Sequence, residues 1–146
     1  MSEMLKPGAT IGILGGGQLG RMLSVAASRL GLTCAIFEPG ANPPAGQVAD
    51  RVFTASYDDE AALRAFAEAV DVITYEFENI PTSALDLLES LRPIRPGRKA
   101  LATSQDRILE KSFLNGIGLA TAPWAEVTDA ASLEEAMAKI GTPAIL

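Results

Sequence analysis

The stretch Ile11-Gly12-Ile13-Leu14-Gly15-Gly16-Gly17-Gln18-Leu19-Gly20-Arg21-Met22 constrains the fold more than any other part of the chain. A short apolar run stops at three consecutive glycines, and apolar residues then recur at Leu19, Met22, Leu23, Ala26, Ala27 and Leu30 with helical spacing. Gly15, Gly17 and Gly20 satisfy G-x-G-x-x-G after a predicted strand and at the opening of a predicted helix. Glycine permits the tight turn, and a missing Cβ lets backbone N–H groups approach an anion. The helix dipole adds partial positive charge at the same place. The stretch therefore predicts a phosphate or nucleotide cradle, with a ligand-free strand-to-helix turn as the plain alternative.

The remaining pattern repeats this unit. A leader over residues 1–10 precedes a strand at 10–14, a helix at 18–30 closed by Gly31, and a second strand at 33–37. Residues 41–50 are rich in Pro, Gly and Asn and read as a loop. A third strand is expected at 51–55. The next helix is capped by Ser56 or Asp58, with Leu63, Phe66, Ala67 and Val70 facing the core. Residues 71–75 form a fourth strand, and Thr82 or Ser83 caps a helix with Leu85, Leu88 and Leu91 inward. Ile94 lies in a short extended piece between prolines. Strands alternating with helices predict an α/β fold, a doubly wound parallel sheet covered on both faces.

Beyond residue 97 the pattern changes. Helices are expected at 98–102, 105–115 and 133–140, with strands at 124–127 and 142–146. The division expected is residues 1–97 as one domain and residues 98–146 as linker helices and the beginning of a second.

Composition narrows the chemistry. The 146 residues carry a net charge of −6, which argues against a basic nucleic-acid or anionic-membrane surface. With no histidine and only Cys34, the chain holds neither a Cys/His zinc site nor a Ser-His-Asp or Cys-His pair. Cys34 lies in an apolar run and reads as an inert buried thiol, and a single cysteine suits a reducing cytoplasm. Neither a signal-peptide core nor an apolar run of membrane-spanning length is present, so a soluble cytoplasmic protein is expected.

Ligands of such sheets sit outside the carboxyl ends of the strands. The glycine loop, Glu38 and residues 76–79 all fall at that edge. Gln18 opens the helix, where its amide can reach a phosphate or ribose or simply face water. Glu38 stands where a ribose-binding acid belongs, or is a solvated acid before Pro39. Glu76, Glu78 and Asn79 either accept hydrogen bonds from ribose hydroxyls or an amine, or mark the strand exit. Arg107 and Lys111 share one helix face, as a solvated cationic pair or as partners of one phosphate.

Residues 13–22 resemble the opening of the N5-carboxyaminoimidazole ribonucleotide synthetase family, ATP-grasp ligases of purine biosynthesis. The likeness continues through Gln47-Val48-Ala49-Asp50, Thr74-Tyr75-Glu76-Phe77-Glu78-Asn79-Ile80, Gln105-Asp106-Arg107 with Lys111, and residues 141–146. Glu76-Phe77-Glu78-Asn79 is the most discriminating piece, since the sister formate-dependent glycinamide ribonucleotide transformylases have a different acidic turn there. The resemblance implies a Rossmann-like pre-ATP-grasp domain followed by the start of an ATP-grasp α+β domain.

It also implies a reaction: ATP, bicarbonate and 5-aminoimidazole ribonucleotide give the N5-carboxylated ribonucleotide through carboxyphosphate, in a cytoplasmic homodimer. Gly15, Gly16, Gly17, Gln18 and Leu19 resemble the loop that holds the aminoimidazole ribonucleotide, through its phosphate. Glu76 and Asn79 resemble the acid-containing turn beside that ligand, Glu38 joins them as a substrate-binding candidate from its place at the strand end, and Arg107 resembles the arginine that contacts ATP. No catalytic residue is assigned within these residues. The phosphate-binding lysine, the lid and the Mg2+ carboxylates are expected beyond residue 146, so the 146 residues alone are expected to lack ligase activity.

Two rivals remain. A nicotinamide-dinucleotide oxidoreductase domain explains the glycines and Glu38, and explains residues 76–79 poorly. A noncatalytic nucleotide-sensing domain would show the same first hundred residues.

Overall fold

The computed structural model of the chain describes residues 4–145. The start of the expected leader (1–3) and the end of the expected last strand (Leu146) lie outside the described residues. The chain divides into two compact units, one running to Gln105 and one from Asp106 onward.

The first unit follows the alternation of the sequence: β1 (Thr10–Leu14), α1 (Gln18–Arg29), β2 (Thr33–Phe37), a 3-10 turn (Pro44–Gln47), β3 (Arg51–Phe53), α2 (Glu60–Glu68), β4 (Val72–Tyr75), α3 (Thr82–Glu89) and α4 (Arg98–Gln105). Among the described residues the strands pair in parallel in the order β3-β2-β1-β4. The chain winds outward from β1 to β3 and then returns to β1's other edge, the reversal that defines a doubly wound sheet. Ile94 adds a single parallel bridge to Ile73, as its extended setting between prolines suggested. The described end of the expected leader is tied down where it enters β1. Gly8 donates to the Gly31 carbonyl at 2.7 Å, and Thr10 donates to the Asp71 carboxylate at 2.8 Å.

Alternate strand residues point to opposite faces. On one face Leu14, Ala35, Phe37 and Ile73 pack with Leu63, Phe66, Ala67, Leu85 and Leu88 from α2 and α3. Phe66 meets Phe37 and Phe53 edge-on with ring centroids 5.5 Å apart in both pairs, a favoured aromatic geometry. On the other face Ile13, Cys34 and Ile36 pack with Ala27 and Ala45.

Three details of these helices depart from the sequence reading. α2 is capped by Asp59, not Ser56 or Asp58, its carboxylate accepting from Ala62 N–H at 2.9 Å. α3 follows Pro81, whose fixed φ suits a helix entry without a side-chain cap. In α1 the helical period holds, but the large residues of the apolar stripe face outward and only its Ala27 is buried. Leu19, Met22, Leu23 and Leu30 are exposed, while Gly20, Ser24 and Ala27 face the sheet. Small residues let the helix approach closely, and Ser24 satisfies its hydroxyl locally by donating to the Gly20 carbonyl at 2.8 Å. Cys34 is a buried free thiol whose pKa is pushed up by burial.

In the second unit α5 (Arg107–Gly116) and α6 (Ala130–Ile140) are each started by a local device. Asp106 accepts from Ile108 and Leu109 N–H at 2.8 Å each. Asp129 and Ser132 form a reciprocal capping box. The strands expected at 124–127 and 142–146 are absent over their described residues, which take no regular structure. An apolar run becomes a strand only where a partner supplies the ladder's hydrogen bonds. None of the described helices is long and apolar enough to cross a membrane.

Candidate functional site: a carboxylate-filled glycine loop

Sheet register assembles the site. Leu14 pairs with Phe37 of β2 on one side and with Tyr75 of β4 on the other. The next residue of each strand, Gly15, Glu38 and Glu76, therefore emerges in one row at the carboxyl edge. Backbone bonds fix the row: Gly15 N–H donates to the Phe37 carbonyl at 2.9 Å and Glu76 N–H to the Leu14 carbonyl at 3.1 Å. Because β4 lies on β1's far side from β2, the row spans the point where the winding reverses.

The loop's amides are already occupied. Glu76 sends its carboxylate into the turn, where one oxygen accepts from Gly17 N–H at 2.6 Å and the other from Gly20 N–H. Gly17 is the N-cap of α1 and has no side chain to cap with, so a carboxylate nearly sixty residues away supplies the cap and meets the positive end of the helix dipole. Glu38 does the same one residue earlier, accepting from Gly16 N–H and from Gly40 N–H, both at 2.8 Å. The phosphate expected at these amides would meet a carboxylate already in place.

That arrangement explains the glycines. At Gly15, where φ is +99°, a Cβ would stand 2.5 Å from Glu76 Cγ and 2.8 Å from the Phe77 ring. At Gly20 a Cβ would stand 2.8 Å from the Gly15 carbonyl oxygen. The chain's own carboxylate and turn, not an external ligand, demand the missing side chains.

A cavity of about 340 Å3 opens beside this row, with Gly16, Gly17, Glu38, Pro43, Glu76 and Phe77 among its walls. Its far wall is the segment 40–44, set by Asn42 at a φ of +54° and anchored where Ala45 N–H donates to the Gly16 carbonyl at 2.9 Å. Tyr57 lies beneath, its hydroxyl donating to the Phe37 carbonyl at 3.5 Å. Burial first, and then the charges of Glu38 and Glu76, push its pKa up, so it stays a neutral donor.

Of the residues singled out in the sequence, Gly16, Gly17, Glu38 and Glu76 wall the cavity together. Gly15 lies directly under Glu76. Gln18, Leu19 and Asn79 are exposed and stand outside its wall. Arg107 belongs to the second unit, where it pairs with Glu110 one turn along α5. Sequence reasoning missed Phe77 and the wall at 40–44. The signal was available in Gly40-Ala41-Asn42-Pro43-Pro44, a run whose backbone requirements exceed those of an ordinary loop.

The fold and the cavity together define a doubly wound domain with an open cavity at its switch point, walled by two hydrogen-bonded carboxylates. The chain belongs to the ribonucleotide synthetase preATP-grasp domain family, whose model matches residues 8–105. It is 54% identical over 142 residues to the N5-carboxyaminoimidazole ribonucleotide synthase of Brucella melitensis, covering 97% of this chain and 39% of that protein. The Bacillus subtilis synthase of the same name is 41% identical, over 99% of this chain and 38% of its own length.

Among solved structures, an ADP complex of N5-carboxyaminoimidazole ribonucleotide synthetase superimposes with a TM-score of 0.89 at 43% identity, over 98% of this chain and 38% of that one. The Aspergillus clavatus synthase in complex with ADP and 5-aminoimidazole ribonucleotide gives 0.81 at 33% identity, over 94% and 37%. The chain thus spans about two fifths of the length of these relatives.

Proposed function

We propose that this chain is the substrate-binding N-terminal part of an ATP-dependent ligase that carboxylates 5-aminoimidazole ribonucleotide with bicarbonate to N5-carboxyaminoimidazole ribonucleotide, in purine biosynthesis. The observation that carries the reading is the Glu76 carboxylate held on the amides of Gly17 and Gly20 at the edge of the cavity. A carboxylate fixed by two N–H donors keeps further lone pairs for a ligand's own donors. Ribose hydroxyls and an exocyclic amine are such donors, and a phosphate is not. The ribonucleotide therefore enters with its sugar or amine toward Glu76 and Glu38 and its phosphate directed away from the glycine loop.

The same observation weighs against a nicotinamide dinucleotide, whose pyrophosphate would have to displace Glu76 from the helix N-terminus and sit between two carboxylates. Support for the reaction comes from the relatives' shared name and from the relative whose structure holds 5-aminoimidazole ribonucleotide with ADP.

In the whole ligase, residues 1–97 form the pre-ATP-grasp domain and residues 98–146 the linker helices and the start of the ATP-grasp domain. Arg107 contacts ATP, and the protein works in the cytoplasm as a homodimer. Mg2+ accompanies ATP in this reading. Its ligands belong to residues beyond 146, and these residues alone carry no bicarbonate-dependent ATP hydrolysis.

Calorimetric titration of the chain with 5-aminoimidazole ribonucleotide, its dephosphorylated riboside, ribose 5-phosphate and NADH tests the reading. The ribonucleotide and riboside are expected to bind and compete with each other. Tight NADH binding, or ribose 5-phosphate outcompeting the riboside, would overturn it.

A further inference from the structure

Gln105 ends α4 as an exposed residue, yet its side chain makes two short hydrogen bonds to the turn that follows β4. Its Nε2 donates at 2.7 Å to the Glu78 carbonyl and at 2.7 Å to the Ile80 carbonyl. Two carbonyl oxygens at that distance fix which end of the amide points inward, since an amide oxygen there would be repelled. A primary amide has two N–H groups, and the clamp matches one to each carbonyl.

The reach of this side chain is set by the core. Leu101, fully enclosed, seats α4 against the α2/α3 face, and Gln105 lies one turn later on the same side of the helix. The turn it grips is the one that carries Glu76. That turn leaves the sheet at Glu76, whose N–H is bonded to Leu14, and is pinned again at Ile80, whose side chain is fully buried.

We propose that Gln105 is a positioning residue: by holding the carbonyls of Glu78 and Ile80 it sets the turn that delivers the Glu76 carboxylate to the amides of Gly17 and Gly20. It touches neither the glycine loop nor the cavity wall and acts only through the turn. The ligand consequence rests on the function proposed above, whereas the geometric consequence does not. Gln105 also immediately precedes Asp106, where the second unit begins.

The test uses the whole chain with Gln105→Met, which keeps length and removes both donors, and Gln105→Glu, which sets carboxylate oxygens against the two carbonyls. Because the residue is exposed and no core side chain is disturbed, both variants are expected to stay folded, with a thermal midpoint lowered by only a few degrees. In amide NMR spectra the Gly17 and Gly20 protons, shifted downfield by their carboxylate acceptor, move upfield in both variants, further in Gln105→Glu. Hydrogen exchange at residues 77–80 rises, and affinity for 5-aminoimidazole ribonucleotide falls about tenfold, the size that two neutral hydrogen bonds make available. Unmoved Gly17 and Gly20 protons overturn the proposal, even if exchange at 77–80 rises, because Gln105 would then be a local tie with no hold on Glu76. If the unsubstituted chain binds no ribonucleotide, the proposed function falls, and the Gly17 and Gly20 shifts still decide the role of Gln105.

Discussion

In the unit that ends at Gln105, side chains as large as Phe37, Phe66, Leu85 and Leu88 are fully enclosed. In the unit from Asp106 onward, Ala136 is the one buried residue among those described, and Leu109, Phe113, Ile117 and Met137 remain near half exposed. Both units are rich in apolar residues, so composition does not separate them. A parallel sheet does. It presents two faces that helices must cover, and each covering helix then excludes water from many side chains at once. The second unit, with helices and irregular segments among its described residues, relies on devices that act within one turn, such as the caps at Asp106 and Asp129. Cooperative burial and local hydrogen bonding thus divide the chain between them.

The comparison breaks most sharply at the core. Phe66→Ala is expected to cost about 3–5 kcal/mol in urea unfolding, the size of an unfilled aromatic site. Leu109→Ala, more than half exposed, should stay within about 0.5 kcal/mol. Equal costs would show that the second unit is as closely packed as the first.

Gly15→Ala should come next, on the order of 3 kcal/mol, because it combines a left-handed backbone with a Cβ directed at Glu76. Calorimetry on the same variant should show loss of ribonucleotide binding. Glu76→Gln should cost about 1–2 kcal/mol, since an amide replaces at least one charged hydrogen bond and points its N–H groups at other donors. A variant that unfolds like the parent chain would show that the carboxylate caps nothing.

Two predictions concern pH. Tyr57 has a raised pKa in the folded chain, so its neutral form stabilises the fold fully below pH 10, and that contribution is lost as pH rises beyond 10 toward the folded value. Tyr57→Phe should flatten the alkaline fall in stability of the first unit; an unaltered slope would assign that fall to other groups. Asp129 runs the opposite way. Hydrogen bonds from Ser132 hold its carboxyl below the ordinary 3.8, so its cap persists at neutral pH and is lost only in acid, as pH falls through the lowered value. Asp129→Ala should lower the helicity of α6 in circular dichroism, the smallest of these effects, and leave Gly17 and Gly20 untouched.

The same contrast explains what could be read in advance. β1 and β2 were legible to the residue because apolar strands ending in Gly15 and Glu38 announce both their period and their stop. Gly16, Gly17, Glu38 and Glu76 were legible as a group because strand ends of a parallel sheet converge at one edge. The partner of the glycine loop was not legible. Whether Glu76 faces solvent or turns back onto Gly17 depends on the register of β1 against β4, a relation between residues some sixty positions apart. The outward direction of the leucines on α1 was hidden for a related reason: period identifies a face, but close packing chose the face bearing Gly20, Ser24 and Ala27. The strand expected at 124–127 failed because its β propensity had no neighbouring edge to act on.

The internal carboxylate cap also bears on kinetics. Glycine loops ordinarily draw anions in, since helix dipole and free amides pull the same way. Here Glu76 has cancelled that pull, Glu38 adds a second negative charge, and the chain carries a net −6. A phosphorylated ligand diffusing toward this mouth meets like charge before it meets a hydrogen bond. For this chain its association rate therefore climbs with added salt, as screening shortens the reach of that repulsion to within about 10 Å at 0.1 M.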